Sequence, residues 1–591
     1  MLASRAAVTA TATISATGYH PRRTFLLLRS SRSLSTLAFA GRNHDRTSKS
    51  KSGWTNVPVH YNIRGGSSSD SRGSGISSNR RYSSNNDQRQ QPQKLCNLPE
   101  TSHDRITITY LTDVEGDDDY LDRYVQQSRI LTWRPTTPRW NKDTTSANSS
   151  SHDFPEEFSS CRYFPYDHCI DFKDDTGMAI IGGDCCDKGG KDLYVMRQLL
   201  DLKRRYSDRV HFIMGNRDIN KMRISQEMGL LNPEDGSDPK ELPHHEGVYW
   251  LRNANQAAGG DPTDPTLYPP ADNAAERLRW MLARTMGSPN AFELRRRELL
   301  EEKKDRAVTT KSAPKSMENI TVTDEEVVRS YRESCHPSTG EIGNYLTNSH
   351  LAYRIGQVLV LHGALPLTQD ILKETLEMGE SDEFWKNISA FAMPWTEEMN
   401  TTANTATNMS SGEAIQSWLE ELNHFAKSSL KSWREHYANN TASSDALWAL
   451  KGGYPQGMPF GQLMQYGMGW TADGKRNPTV VYSSWSIDGL PQHFYPDNHK
   501  PEDQLFVKLT RDFFRHADLR LILAGHQPQG DMPTPIRVTD DNGNSCLVLC
   551  CDTSYSGDTH WVNPPQTPES EMRSNLGRGS GPGFRGDNAV R

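Results

Sequence analysis

Five short aliphatic runs, each ending abruptly in glycine or polar residues, constrain the fold of this chain most strongly. The runs are 106–112 before Asp113, 178–181 before Gly182-Gly183-Asp184, 210–214 before Gly215-Asn216, 358–361 before His362, and 519–524 before Gly525-His526. Runs of this length that are rich in Val, Ile and Leu indicate strands buried on both faces. Because ligands bind at the carboxyl ends of strands in open α/β sheets, the polar residues fall where a site is expected.

A helix is predicted between the second and third runs. Within 192–206, Leu193, Met196, Leu199 and Leu200 recur close to the 3.6-residue period of an amphipathic helix. Strand, loop, helix and strand in succession form a βαβ unit, which is typical of a parallel sheet. The sequence therefore predicts an α/β fold.

Two long intervals separate the later runs, and both contain helical periodicity. The helix-like stretches are 274–284, 290–306 and 324–333 in the first interval and 411–437 in the second. We predict helical insertions at about 236–345 and 371–450, which cross over or cap the sheet edge and form the rim of a pocket. A last apolar run, 546–551, predicts a strand of a second sheet.

The two ends of the chain differ from the rest in composition. Hydrophobic residues make up 35% of the sequence, below the roughly 45–50% of globular domains, so polar segments must dilute a normal core. Residues 41–100 and 562–591 are rich in Ser, Arg and Gly and cannot bury enough apolar surface to offset chain entropy. We predict a disordered leader, 1–100, a folded domain, 101–561, and a disordered tail, 562–591.

The first 44 residues contain arginines but no Asp or Glu, which is the composition of an organellar transit peptide. This predicts a mitochondrial or plastid location, and the alternative is a basic leader on a cytoplasmic protein. The net charge of −7 gives no sign of a nucleic-acid partner. No stretch approaches the 18 or so consecutive apolar residues that a membrane span needs.

The residues at the strand ends are of the types that bind divalent cations. They are Asp113, Glu115, Asp184, Asn216, His362 and His526. A binuclear hydrolytic centre needs such carboxylate, amide and imidazole ligands around two cations roughly 3.5–4 Å apart. Taken singly, a Gly-Asp is often a turn and a core His is often only hydrogen-bonded. Their joint occurrence at five strand ends favours a metal site.

The motifs resemble, in order, those of the calcineurin-like metallophosphoesterases. They are Asp113-Val-Glu115, Gly183-Asp184-Cys-Cys-Asp187, Gly215-Asn216-Arg217-Asp218, His362-Gly363 and Gly525-His526-Gln-Pro528. The resemblance covers about 105–235, 350–370 and 515–560, under half of the chain. It implies a core of two packed mixed β-sheets flanked by helices, here with large helical insertions. It also implies hydrolysis of a phosphate ester, by a phosphatase or phosphodiesterase, with a metal-bound hydroxide as nucleophile.

The resemblance implies a role for each ligand. Asp113 and Asp184 would bind the first metal, and Asp184 would bridge to the second. Asn216, His362 and His526 would complete the second. A binuclear centre with these ligands would therefore share one carboxylate between its two cations.

This sequence departs from the family pattern in the residues around those ligands. Glu115 replaces a His, so the first site should prefer Mn²⁺ or Mg²⁺ to Zn²⁺ or Fe. Pro528 replaces a final His, an ending that also occurs in the family. Arg217 replaces the catalytic His and cannot release a proton near neutral pH, although it can neutralise phosphoryl charge. Asp187 would orient a neighbour, such as Arg217, without touching metal. Lys188 stands where protein phosphatases have an Arg that grips phosphate, and it supplies charge without the two-pronged hydrogen bond.

Two functions remain open from the sequence. The first is an active phosphoesterase in which Arg217, Lys188 and Asp187 manage charge at the leaving group, with His560 or His168 as a candidate substitute acid. The second is a catalytically weak, phosphoesterase-like binding module. The partner in either case is a phosphorylated molecule, which could be a phosphoprotein, a nucleotide or a small phosphomonoester. The segment 467–485, rich in Gly and aromatic residues, is either a strand pair around an Asp-Gly turn or part of the pocket lining.

Overall fold

The chain divides into two units, Thr11–Thr107 and the remainder, Met1–Ala10 with Ile108–Arg591. The computed structural model describes residues 11–14, 106–139, 163–232, 236–243, 247–270, 272–309, 319–378, 381–389, 409–439, 459–469, 477–486, 491–495, 500–528, 533–539, 543 and 545–553. The predicted tail, 562–591, and all of the predicted leader except 11–14 lie outside these residues. In the smaller unit the structure describes strand β1 and residues 106–107, with which strand β2 begins.

The described strands follow the predicted apolar runs and add several short ones. They are β1 Thr11–Ile14, β2 Ile106–Leu111, β3 Leu131–Pro135, β4 His168–Phe172, β5 Gly177–Ile181, β6 Val210–Ile213, β7 Ser349–His350, β8 Ala352–Ile355, β9 Val358–Leu361, β10 Leu521–Ala524, β11 Thr534–Thr539 and β12 Ser545–Cys550. The five predicted strands with polar ends are β2, β5, β6, β9 and β10, and the predicted last strand is β12. All six predictions are confirmed.

The described helices confirm the predicted periodic stretches. They are α1 Asp118–Gln127, α2 Asp192–Arg205, α3 Asn216–Asn220, α4 Met222–Met228, α5 Tyr249–Ala257, α6 Ala274–Trp280, α7 Ala291–Thr309, α8 Asp324–Ser334, α9 Glu341–Thr347, α10 Gln369–Met378, α11 Ser381–Lys386, α12 Ser411–Asn439, α13 Pro459–Tyr466 and α14 Pro501–His516. A π-helical turn, Met281–Thr285, continues α6. The start of α8 is fixed by a local signal, a capping box formed by Thr323 and Glu326. No described helix is long and apolar enough to cross a membrane.

Two larger sheets dominate the bigger unit. The first has the strand order β2, β5, β6, β7, in which β5, β6 and β7 pair in parallel. The second has the order β11, β12, β10, β9, β8. Its central strands β9, β10 and β12 are parallel, and its outer strands β8 and β11 are antiparallel, so this sheet is mixed. The antiparallel pair of β3 and β4, which the sequence did not predict, forms a small separate sheet.

Contacts between the two sheets bring their strand ends together. His211 of β6 stacks on Tyr353 of β8, with ring centroids 4.1 Å apart and an interplanar angle of 20°. At the carboxyl ends, the His362 Nδ1 lies 2.8 Å from the carbonyl oxygen of Gly182. The polar ends of β5 and β9, in different sheets, therefore meet directly.

Both insertions contribute side chains to the hydrophobic core. In the first, the Tyr345 hydroxyl of α9 donates to the carbonyl of Ile213 at 2.9 Å, and the ring stacks on Phe212. In the second, Trp418 and Trp433 of α12 are fully buried. That the insertions cap the sheet edge and form the rim of a pocket stays a prediction. Burial of large aromatic side chains makes the helices part of the same hydrophobic core.

Candidate metal centre

Every predicted ligand lies at the end of a strand, and together they form one cluster. Asp113 and Glu115 follow β2, Asp184 follows β5, Asn216 follows β6, His362 follows β9, and His526 follows β10. Ligand atoms of five of them form two groups, Asp113–Glu115–Asp184 and Asp184–His362–His526, and within each group the atoms lie within 4.8 Å of one another. The sixth, Asn216, contacts both histidines. Asp184 belongs to both groups, as the predicted bridging carboxylate must. The structure thus brings together all residues predicted as ligands.

The backbone is strained at this cluster. Six described residues other than glycine have positive φ: Asp113 at 53°, Glu115 at 51°, Asp184 at 54°, Asp187 at 116°, His526 at 70°, and Asp518 at 48°. All but Asp518 belong to the predicted site. Such conformations cost roughly 1–3 kcal/mol each and persist where the surroundings enforce them, which is typical of functional sites.

Glycines permit the loops to approach one another. A Cβ on Gly525 would lie 2.2 Å from Thr112 Oγ1 and 2.4 Å from Asp113 Oδ2. A Cβ on Gly215 would lie 2.1 Å from Asp184 Oδ1. Only glycine fits at either position without displacing a predicted ligand. Close packing therefore explains why glycine precedes the predicted ligands Asn216 and His526 in their motifs.

Hydrogen bonds join the loops that carry the ligands. The backbone N–H of Glu115 donates to the carbonyl of Asp184 at 3.0 Å, and that of Lys188 donates to the carbonyl of Glu115 at 2.9 Å. The buried Asp218 carboxylate accepts from the backbone N–H of Asp184 and of Gly215, each at 2.8 Å. Asp218, which ends the third motif, is thus a structural anchor for the loop of Asp184.

The first donor group consists of buried carboxylates. Asp113 Oδ2 accepts from Thr112 Oγ1 at 2.7 Å and from the backbone N–H of His526 at 3.0 Å. These two bonds fix the orientation of the carboxylate beside Glu115 and Asp184. Three carboxylates within this distance repel one another unless positive charge lies between them or beside them. Hard oxygen donors of this kind suit Mn²⁺ and Mg²⁺.

The second donor group is built around Asn216. Its Oδ1 lies 3.0 Å from His526 Nδ1 and 3.2 Å from His362 Nε2. Because a carbonyl only accepts, the contact of His362 Nδ1 with the Gly182 carbonyl requires a proton on Nδ1. In the neutral ring Nε2 then carries a lone pair, and it faces the Asn216 oxygen and Asp184 Oδ1 at 3.4 Å. Imidazole, amide and carboxylate atoms this close together could serve as ligands of one cation.

The electrostatics of the cluster also favour a positive charge. Burial alone would lower the pKa of His362, but the carboxylates of Asp184 and Asp113 outweigh it and raise the pKa to about 10. Burial alone would raise the pKa of Asp184, but His362, Arg217 and His526 outweigh it and lower the pKa below its usual range. The donor set therefore demands positive charge at this point, which a divalent cation supplies as well as a proton does.

Arg217 lies beside the first donor group. Its Nε is 3.0 Å from Glu115 Oε1 and 3.6 Å from Asp184 Oδ2. Its Nη1 donates to the Met286 carbonyl at 2.9 Å and to Ser288 Oγ at 3.2 Å, both in the first insertion. The side chain is 16% exposed. Arg217 therefore reaches the candidate site while its guanidinium is anchored by an inserted segment.

Asp187 pairs mainly with a lysine that the sequence interpretation missed. Lys221 Nζ lies 2.6 Å from Asp187 Oδ1, and both side chains are buried. Arg217 Nη1 lies farther away, at 3.4 Å from Asp187 Oδ2. Burial would lower the pKa of Lys221, but Asp187 outweighs it and raises the pKa, so the lysine stays charged. Lys221 lies between α3 and α4, and its partner Asp187 is 34 residues away in sequence, so no local pattern indicated the pair.

Lys188 lies near the cluster as predicted. Its Nζ is 3.6 Å from Glu115 Oε1, and the side chain is 19% exposed. Glu115 thus has two basic neighbours, Lys188 and Arg217. The two basic side chains compensate the charge of the buried Glu115 carboxylate.

The segment 467–485 reaches the site but is not a strand pair in its described parts. Residues 467–469 and 480–482 form turns or bends, the rest of 477–486 is irregular, and 470–476 lie outside the described residues. The Tyr482 ring packs on the His526 ring with centroids 5.0 Å apart. The prediction of a strand pair is wrong for the described parts, because these residues cross the end of β9, where Gly363 N–H donates to the Val480 carbonyl.

Of the two candidate substitute acids, the structure describes only His168, which lies away from the cluster. His168 contacts Asp167, Tyr194 and Trp133, which belong to other parts of the structure. His560 lies outside the described residues. Among the described residues, none of the contacts of His168 reaches a predicted ligand.

Comparisons with known proteins do not define a family. No protein-family model and no curated protein matches the chain. Among solved structures, the cold-active protein-tyrosine phosphatase of a psychrophilic Shewanella species is 14% identical, covers 76% of this chain and 73% of its own, and has a TM-score of 0.26. A 1.1 Å structure of cold-active protein tyrosine phosphatase is 12% identical, with coverages of 76% and 71% and a TM-score of 0.28. Similarity at these TM-scores carries no argument about fold or function.

Proposed function

We propose that this chain is a metal-dependent phosphoester hydrolase of the calcineurin-like class. The observation that carries the proposal is the convergence of six predicted ligands from five strand ends, in two sheets: five form two donor groups that share Asp184, and Asn216 contacts both histidines. The order of the motifs, the strained backbone at the ligands and the demand for positive charge within the cluster support it.

Two divalent cations, for which the carboxylate-rich first group favours Mn²⁺ or Mg²⁺, would polarise the phosphoryl group and lower the pKa of a water molecule. Asp113, Glu115 and Asp184 would hold one cation, and Asp184, Asn216, His362 and His526 the other. The hydrogen bond from His362 Nδ1 to the Gly182 carbonyl fixes the ring and leaves Nε2 to bind. Fixed orientation of the ligands is what catalysis of this kind requires from the protein.

Arg217 and Lys188 would balance the charge of the phosphoryl oxygens. Both lie beside Glu115, and Arg217 is held by Met286 and Ser288. Neither is a good proton donor to a leaving group, since Arg keeps its proton near neutral pH. Asp187, which pairs with Lys221, also contacts Arg217 and helps to hold its guanidinium. The reaction proposed is therefore hydrolysis with charge stabilisation and little general acid catalysis.

The test is hydrolysis by the purified full chain in added Mn²⁺. The panel comprises an aryl phosphate, a bis-aryl phosphodiester, a nucleoside triphosphate and a phosphoserine peptide. We expect metal-dependent release of phosphate or phenol that a chelator abolishes. Absence of turnover on every substrate, with metal bound, would instead establish the second candidate.

That second candidate is a phosphoesterase-like binding module with little activity. The pairing of Glu115 with Arg217 at 3.0 Å and Lys188 at 3.6 Å favours it, because basic side chains then compete with a cation for this carboxylate. Metal binding would be confined to the group of Asp184, His362 and His526. One tightly bound metal per chain would identify this case.

A further inference from the structure

Helix α7 of the first insertion packs against the loop that follows β5. Arg295 and Glu298, one turn apart on α7, both face this loop, and their side chains are 0% and 2% exposed. Lys191, at the end of the loop, pairs with Glu301 one turn further along α7. Buried charged residues at this spacing form one polar face directed at the loop.

Arg295 acts on the loop through Asp192. Its Nη2 lies 3.2 Å from Asp192 Oδ2, while Asp192 Oδ1 accepts from the backbone N–H of Asp187 at 2.9 Å. The guanidinium is itself held from behind by α8, through Ser330 Oγ at 3.1 Å and over the Tyr331 ring at 4.3 Å. Because each partner of Asp192 is fixed, its carboxylate holds the Asp187 backbone in one position.

Glu298 holds the start of α2 in the same way. Its carboxylate accepts from the backbone N–H of Leu193 at 3.1 Å and of Tyr194 at 2.9 Å. These groups belong to the first turn of α2, where backbone N–H groups lack partners within the helix. The carboxylate also suits the positive end of the helix dipole.

The loop held by α7 carries both a predicted ligand and its supporting acid. Asp184 begins it, and Asp187 at its centre contacts Lys221 at 2.6 Å and Arg217 at 3.4 Å. A shift of the Asp187 backbone would move the carboxylate that these two cations face. The first insertion is therefore connected to the candidate site by a continuous chain of contacts, and not only through residues at the rim of the predicted pocket.

We infer that Arg295 is a positioning residue for the candidate metal centre, fixing Asp187 and thereby Arg217 through the carboxylate of Asp192. The catalytic consequence rests on the proposed function, but the effect on the loop does not. Loss of contacts behind metal-site residues typically lowers activity or metal affinity about 10–100-fold. Arg295 is fully buried and touches no predicted ligand, so its effect is expected on kcat and not on KM.

The experiment compares Arg295→Met and Arg295→Lys with Arg296→Met. Arg296, the next residue on α7, pairs with Glu293 and Asp324 on the outer side of the helix, which makes it a matched control. Because Arg295→Met leaves the Asp192 charge buried without this partner, a double variant with Asp192→Asn keeps the local charge balanced. Hydrogen exchange of the amides of 184–188 and the steady-state constants for an aryl phosphate in Mn²⁺ are measured.

We expect amide exchange in 184–188 to rise about 10-fold or more, and kcat to fall about 10–100-fold with KM unchanged, in Arg295→Met and the double variant. Arg295→Lys should recover part of the loss, and Arg296→Met should behave as wild type.

Exchange in the Arg295 variants equal to that of Arg296→Met overturns the inference. If the wild type hydrolyses nothing, the proposed function fails, and the exchange data alone decide the role of Arg295. If Arg295→Met does not fold, the double variant decides it.

Discussion

At the scale of single residues, Arg217 is the sharpest departure of this sequence from the calcineurin-like pattern that it resembles. A guanidinium lies where the family has an imidazole, 3.0 Å from Glu115 and anchored by Met286 and Ser288. Arginine stabilises charge on phosphoryl oxygens but gives up no proton near neutral pH. The leaving group must then depart with little protonation, so the rate should depend on its acidity.

We predict a steep fall in rate with rising leaving-group pKa for the wild type, so that aryl phosphates and anhydrides react far better than alkyl phosphates. In Arg217→His the slope should become shallower and alkyl phosphate hydrolysis should rise. General acid catalysis contributes roughly 10²–10⁴-fold, which sets the upper limit of the gain. Since Asp187 is already paired with Lys221 at 2.6 Å, the gain should lie in the lower part of that range.

The measurement is a linear free-energy plot of kcat/KM against leaving-group pKa for both proteins. Arg520→His, at an exposed arginine outside the cluster, serves as the control and should keep the wild-type slope. A shallow slope in the wild type that Arg217→His leaves unchanged would mean that another acid is present, contrary to this account.

At the scale of secondary-structure elements, the site depends on how closely the strand ends approach. The loop after β10 lies against the end of β2, where a Cβ on Gly525 would come within 2.4 Å of Asp113 Oδ2. Contacts under 3 Å force movement, and here the nearest atoms belong to a predicted ligand and to Thr112. The approach of these two loops, which belong to different sheets, therefore sets the first donor group.

We predict that Gly525→Ala lowers Mn²⁺ affinity by at least about 10-fold, as expected when the supports of a metal ligand are displaced. Gly190→Ala is the matched control, because a Cβ there meets only Leu294 at an ordinary 3.8 Å. Titration calorimetry with Mn²⁺ measures both. Equal affinities in the two variants would show that the loop after β10 does not set the geometry of Asp113.

The contact between the sheets also predicts a pH dependence of stability. Burial, helped by Lys203 and His350, lowers the pKa of His211 to about 3, against about 6.5 in an unfolded chain. The unfolded state therefore binds a proton more tightly, and the free energy of unfolding falls as the pH drops from 6.5 towards 3. For one such group, the free energy of unfolding falls by up to about 1.4 kcal/mol for each pH unit in this window.

Replacing this imidazole by an amide in His211→Gln should remove that part of the slope. Urea unfolding at pH 7, 6 and 5 gives the free energies, and the His424→Gln variant serves as a control at an exposed histidine of α12 outside the contact between the sheets. A slope in His211→Gln equal to that of the wild type would contradict the assignment of His211 as a neutral buried residue.

The elements of this fold follow from local sequence more readily than their contacts do. The apolar runs of β2, β5, β6, β9 and β10 and the periodicity of α2, α7, α8 and α12 were predictable, because burial imposes a pattern on neighbouring residues. The convergence of the six candidate ligands was predictable because each follows a strand. Lys221 and Arg295 were not, since a buried lysine or arginine looks like any surface cation until its distant partner is known. The strand pair predicted in 467–485 was wrong for the described residues for a related reason. The path of 477–486 is set by contacts with the end of β9, which the local sequence does not reveal.

At the scale of the whole molecule, the larger unit contains the core and the candidate site, and the smaller unit, Thr11–Thr107, is mostly leader. The composition of the leader predicts that it does not pack on the core. Deletion of residues 1–100 should therefore leave the melting temperature of the remaining chain unchanged within error. A drop of several degrees in differential scanning calorimetry would show that the leader stabilises the fold.

Localisation is a separate prediction about the same segment. Its arginine content and lack of acidic residues up to position 44 predict import into an organelle. A fusion of residues 1–45 to a fluorescent protein should colocalise with a mitochondrial or plastid marker, and replacement of its arginines by glutamine should abolish import. A diffuse signal from the unmodified fusion would contradict the prediction.

The central claim is that two cations share the carboxylate of Asp184, and the metal content of Asp184→Asn tests it most directly. Asp518→Asn is the matched control, because Asp518 also has positive φ, at 48°, but lies outside the cluster. After loading with Mn²⁺ and removal of excess metal, elemental analysis counts the bound ions and electron paramagnetic resonance detects magnetic coupling between them. We predict a coupled pair in the wild type and in Asp518→Asn. In Asp184→Asn we predict one ion or none, without coupling and with hydrolysis nearly lost, because a neutral amide does not hold two divalent cations together. Full occupancy with coupled ions in Asp184→Asn would contradict the account.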